Sequence, residues 1–172
     1  MNNENLAPGR WLRVCSLLLL LWSAAVAPQP AMAGGTTTTL GVSLTINVAC
    51  TVSAAPIAFA AQSVLSAPVS QTGSVVVTCS NTSPYTVQLD QGTGASATVT
   101  NRLMTGPASG TVAYGLYQDA AGTVNWGNAA GSWVAGTGAG NPQTLTVYGR
   151  ISAQTTPVPG AYADTVNVTV SF

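Results

Sequence analysis

From residue 40 onward, apolar and polar side chains alternate with a period of two, and helical periodicity is absent. Val75-Val76-Val77-Thr78-Cys79 reads as a buried strand. Tyr85, Val87 and Leu89 alternate with Thr86, Gln88 and Asp90, and Val112, Tyr114 and Leu116 with Thr111, Ala113 and Gly115. Leu145, Val147 and Ile151 alternate with Thr146, Tyr148 and Arg150. Val166, Val168, Val170 and Phe172 alternate with Thr165, Asn167, Thr169 and Ser171. Gly and Pro punctuate these runs at Gly106-Pro107 and Pro157-Val158-Pro159-Gly160. Gly92-Thr93-Gly94 and Gly136-Thr137-Gly138 read as hairpin turns, and residues 125–141 as loop. Short alternating strands with such punctuation predict an all-β antiparallel sandwich.

The first alternating segment is the longest. Leu40, Val42, Leu44, Ile46, Val48, Cys50 and Val52 alternate without a break with Gly41, Ser43, Thr45, Asn47, Ala49 and Thr51. Fully extended, residues 40–52 span about 40 Å, whereas a domain of this size is only about 35 Å across. Two readings follow. The segment bends and serves as two strands of its own sheet, or its first half belongs to another molecule.

Ahead of it, residues 1–33 have the layout of a secretory signal. Arg10 and Arg13 precede an apolar run over residues 14–27, Pro28-Gln29-Pro30 breaks it, and Ala31-Met32-Ala33 supplies a small-x-small cleavage site. The run falls short of the roughly 18 apolar residues of a membrane span. The expectation is cleavage after Ala33, no membrane attachment afterwards, and loss of Cys15 with the signal. Cys50 and Cys79 then remain, and an even count in an exported chain predicts one disulfide. Each shares phase with apolar neighbours (Val48 and Val52; Val75 and Val77), so both sulfurs point to the core. The bond would close a loop of about 30 residues and stabilise by about 3–4 kcal/mol.

Charge narrows the function classes. Beyond the signal the chain carries only Arg102, Arg150, Asp90, Asp119 and Asp164, with no Lys or His anywhere. Such a surface does not steer nucleic acid. Without His or Lys, and with no Glu beyond the signal, there is no Ser–His–Asp or Cys–His constellation and no lysine base, so no catalytic residue is assigned. No metal site or cofactor is assigned either, because imidazoles are lacking and the cysteines are paired. The three aspartates fall in unrelated segments and read as turn or strand-end residues. Trp126 is expected to be buried, and Arg150 to point outward or pair with an aspartate.

Several blocks together carry a family likeness: Cys50-Thr51-Val52-Ser53-Ala54, Val77-Thr78-Cys79, Arg102-Leu103-Met104, Leu145-Thr146-Val147-Tyr148-Gly149-Arg150, and Tyr162-Ala163-Asp164-Thr165-Val166. In these the chain resembles the spore coat protein U domain family, which includes the major pilins of archaic (Csu-type) chaperone–usher pili. The resemblance implies an incomplete immunoglobulin-like antiparallel β-sandwich that lacks one strand and carries an N-terminal donor-strand extension. A periplasmic chaperone would fill the gap in transit, and the extension of another subunit would replace it at an outer-membrane usher. Donor-strand complementation in pilins is an established form of strand addition.

The resemblance also divides the chain into a signal at 1–33, a donor extension at 34–47 and a domain at 48–172. Leu40, Val42, Leu44 and Ile46 would be the donor knobs. The closing strand at 165–172, through Val166, Val168, Val170 and Phe172, would border the acceptor groove and meet the chaperone. The implied protein is a pilus subunit at the cell surface, polymerising with copies of itself or related pilins, with a role in attachment and biofilm. A spore- or cell-coat protein of the same fold is the alternative. A secreted monomeric carbohydrate-binding module is the reading from another class, and it needs an exposed aromatic platform at Trp126 or Trp133.

Overall fold

The alternating runs form strands because every second side chain can enter a shared core while main-chain groups pair laterally. The computed structural model describes residues 31–172, so the signal segment lies outside the described residues except for Ala31-Met32-Ala33. The chain divides into two units, Met1–Ser43 and Leu44–Phe172. In the first, residues 31–43 have no regular secondary structure and are exposed.

The second unit is an antiparallel sandwich of eight strands: β1 (Cys50–Ala55), β2 (Val69–Cys79), β3 (Pro84–Leu89), β4 (Arg102–Thr105), β5 (Thr111–Tyr117), β6 (Val134–Thr137), β7 (Gln143–Ile151) and β8 (Val168–Ser171). One sheet has the order β1-β2-β7-β5-β4 and the other β6-β3-β8. After β2 the chain crosses between the sheets repeatedly, so most connections are crossovers, and only β1–β2 and β4–β5 pair with their sequence neighbours. Between the sheets, Val75, Val77, Tyr85, Val87, Leu89, Val112, Tyr114, Leu116, Val147 and Ile151 form the core. These are the positions that alternation assigns inward.

Three sequence expectations are corrected. Residues 125–141 are not all loop, because Val134–Thr137 forms β6 and pairs with Pro84–Val87 of β3. A ladder is made by main-chain groups, so four residues with small side chains suffice for it. Gly136 is therefore part of a strand, not a turn, and Gly92-Thr93-Gly94 lies in a crossover from β3 to β4 instead of a hairpin. The closing strand is shorter than 165–172. Its ladder with β3 covers Val168–Ser171, because the Asp90 carboxylate captures the Asn167 amide just before it.

Cys50 and Cys79 face each other in register on β1 and β2, with Cα atoms 4.1 Å apart, and form the disulfide. The bond ties β1 to the sheet at its first residue.

Candidate functional site

β1 and β8 are the outermost strands of their respective sheets on the same side of the sandwich, and each has one unpaired edge. Between them the sandwich is open. A cavity of about 310 Å³ lies there, walled by Ala54 and Ala55 of β1, by Val166 and Val168 at the β8 side, and floored by core residues such as Val75 and Leu116. A second cavity of about 690 Å³ continues past it toward residues 156–160. The two share Ile57, Phe59, Met104 and Tyr162 as common wall.

The inner face of β1 shows that cover is missing. Val52 has the same phase as Cys50 and sits in register with Val77, which is fully buried, yet Val52 is 41% exposed. Val48, in the same phase, is 58% exposed. Val166, Val168 and Val170 are each only half-buried, although they alternate toward the core, and Phe172 is 60% exposed. An apolar floor left in water costs free energy, and the two open edges beside it are a template for a further strand.

The β8 side of the opening is held in place by two carboxylates. Asp90 accepts from the amides of Gly92 and Asn167 (2.9 and 3.0 Å) and from Asn167 Nδ2 (2.6 Å). Asp164 accepts from Thr93 N and Oγ1 (both 2.8 Å), from Thr165 N (2.7 Å) and from the Tyr114 hydroxyl (2.7 Å). Burial works to raise both acids, but these donors outweigh it and hold both below the usual carboxylate range. Burial, and then the bond to Asp164, push the Tyr114 hydroxyl well above its ordinary value. Thr105 and Ala163 exchange main-chain hydrogen bonds (2.9 and 3.0 Å), so the lip is also tied to β4. Asp119 holds the amides of Thr123 and Val124 in a separate loop. All three aspartates thus organise turns.

The opposite side is closed. Trp126 is buried, as expected; its amide donates to Leu116 O of β5 (2.9 Å) and its Nε1 to Val87 O of β3 (2.9 Å). Arg102 is fully buried, which sequence reading missed. Its guanidinium donates to the carbonyls of Asp90 (2.8 Å), Val99 (2.7 Å), Leu89 (3.2 Å) and Trp126 (2.8 Å). Burial lowers its pKa. No local signal marked it, since β4 is only four residues long and just Leu103 and Met104 in it are apolar. Arg150 lies on the outer face and donates to Ala121 O (3.3 Å).

The remaining predicted site residues are Leu40, Val42, Leu44 and Ile46. They belong to no strand and are 82–88% exposed. Their alternation therefore has no ladder to serve within the described chain.

The chain matches the Spore Coat Protein U domain over residues 36–169. It belongs to that family. The family's description is that of a coat component, a structural class. This Spore Coat Protein U domain is 35% identical over 106 residues to Protein U of Myxococcus xanthus, a match covering 59% of each chain. It also resembles a chain in the crystal structure of the CsuC–CsuE chaperone–tip adhesion subunit pre-assembly complex, from archaic chaperone-usher Csu pili of Acinetobacter baumannii. That likeness has a TM-score of 0.55 and 22% identity, and covers 74% of this chain and 41% of that one. It is a likeness of fold, and the two antiparallel sheets of this chain are those of an incomplete immunoglobulin-like sandwich. No helix among the described residues is long and apolar enough to cross a membrane.

Proposed function

We propose that this protein is an exported subunit that polymerises by donor-strand complementation into a surface filament of the chaperone–usher type. The observation that carries the reading is a pair of complementary defects. One is an apolar groove flanked by two unpaired strand edges, β1 and β8. The other is an exposed segment whose Leu40, Val42, Leu44 and Ile46 alternate as a strand does but pair with nothing. A strand taken from a second copy satisfies both. Burying three or four such side chains at about 1.5–3 kcal/mol each, with a new ladder on two edges, gives a contact that opens slowly.

In this reading residues 1–33 are the export signal, 34–47 the donor extension and 48–172 the acceptor domain. A periplasmic chaperone covers Val166, Val168, Val170 and Phe172 before an outer-membrane usher exchanges it for the next subunit. Surface attachment and biofilm follow from the filament. The family's spore-coat designation supports a second reading, in which the same assembly builds a coat layer. The carbohydrate-module reading loses its Trp126 platform, because that ring is buried.

The test replaces Leu40, Val42 and Leu44 by Asp in the full chain, co-expressed with its chaperone. Multimers resistant to unheated detergent should disappear while the chaperone complex persists. Multimers unchanged by the substitutions, or a wild-type chain that stays monomeric, would sink the reading.

A further inference from the structure

The stretch after β1, residues 56–60, turns into the open side of the sandwich instead of continuing along its rim. Ile57 and Phe59 are half-buried, and both line the two cavities. They rest on two glycines. A β-carbon on Gly73 of β2 would meet Ile57 Cγ1 at 2.5 Å, and one on Gly149 of β7 would meet Phe59 Cζ at 3.0 Å and Ile57 Cγ2 at 3.1 Å. Both glycines share the inward phase of their strands, with Val75 and Val77 on one and Val147 and Ile151 on the other. Any larger residue at either site would drive Ile57 or Phe59 outward, into the cleft. Gln71 Nε2 donates to Ala58 O (3.2 Å) and fastens the stretch between the two side chains.

We propose that Ile57 and Phe59, seated on Gly73 and Gly149, form a built-in wedge that sets the size of side chain an incoming donor strand can lodge at the middle of the groove. The inference rests on the donor-strand reading. With Met104 and Tyr162 the wedge makes a waist between a cavity of about 310 Å³ and one of about 690 Å³. A strand crossing both must pass one apolar residue over that waist, and interior packing tolerates added volume poorly. The donor knobs are Leu, Val, Leu and Ile, with no aromatic among them. The groove thus discriminates between donors by knob size, and the glycine pair makes that discrimination possible by keeping the wedge low.

The test is a bump-and-hole series in the full chain, exported with its chaperone and read as detergent-resistant multimers. Val42→Phe, Leu44→Phe and Ile46→Phe are made singly, each with and without Phe59→Ala. Where Phe59→Ala does not accumulate, Phe59→Leu carries the same comparison. At least one Phe knob should abolish the multimers, and trimming Phe59 should restore them for that knob alone, while trimming Phe59 without a Phe knob leaves assembly intact. Gly149→Val should abolish assembly with the chaperone complex still formed. If wild type gives multimers but every Phe knob is tolerated, or no knob is rescued by either Phe59 variant, the wedge is wrong although donor exchange stands. If wild type gives none, the donor-strand reading fails and takes the wedge with it.

Discussion

Where β5 faces β3, the two sheets are laced by main-chain groups; where β1 faces β8, they are not. On the first side Trp126 bridges Leu116 and Val87, and Arg102 of β4 gathers four carbonyls, one from β3 and three from the joining loops. On the second, an apolar cavity sits between two strand edges that have no partner. The closed side reaches completion within one chain, using the one cation that is wholly buried among the described residues. The open side has the floor of a core without its cover. Hydrogen bonds to a buried ion are strong and directional, so they fix one seam, whereas the other has no such donors and stays open.

The contrast is broken most severely at Arg102. Arg102→Met keeps the volume but orphans buried carbonyl groups, and should lower the unfolding free energy by roughly 3–5 kcal/mol, read from urea midpoints of the assembled protein. Removing the disulfide with paired Cys50→Ala and Cys79→Ala substitutions acts on the open side. The expected loss is about 3–4 kcal/mol in the same measurement, with hydrogen exchange rising in β1 before any other strand. Trp126→Phe retains most of the burial and loses the bond to Val87, a change of about 1–3 kcal/mol. Its exchange should rise at β3 and β5, not at β1.

The smallest effect is on pH dependence. Asp90 and Asp164 both have lowered folded values, so their contribution is complete above the unfolded carboxylate pKa of about 3.9. It is lost as pH falls through the lowered folded values. Asp164→Asn should flatten that acid limb in pH-dependent denaturation and loosen the lip beside Val166. An unchanged acid limb would remove Asp164 from the account.

Five of the eight strands were legible from alternation alone: β2, β3, β5, β7 and the core of β8. Phase also brought Cys50 opposite Cys79. What escaped has physical causes. β4 and β6 are four residues each, too short for a period to register, and β6 contains Gly136 where a side chain would have marked the pattern. Arg102 was not legible as a core residue because its burial depends on carbonyls converging from three segments, two of them more than ten residues away, which no local pattern encodes. The Leu40 to Ile46 alternation was fully legible, yet within this chain it answers to no partner strand. In the proposed function its partner is a second molecule; the family likeness supplied that reading, and the β1–β8 groove is the dock it proposes.

The central claim is that this segment leaves one subunit and enters the β1–β8 groove of another. Two tagged populations of the full chain, one carrying Val42→Cys or Leu44→Cys and the other Val166→Cys or Val168→Cys, are co-exported and allowed to oxidise. The account predicts a covalent species bearing both tags for at least one pairing, and none between two donor-site variants. A crosslink formed only within a single chain carrying both substitutions, with no mixed-tag species, would contradict it.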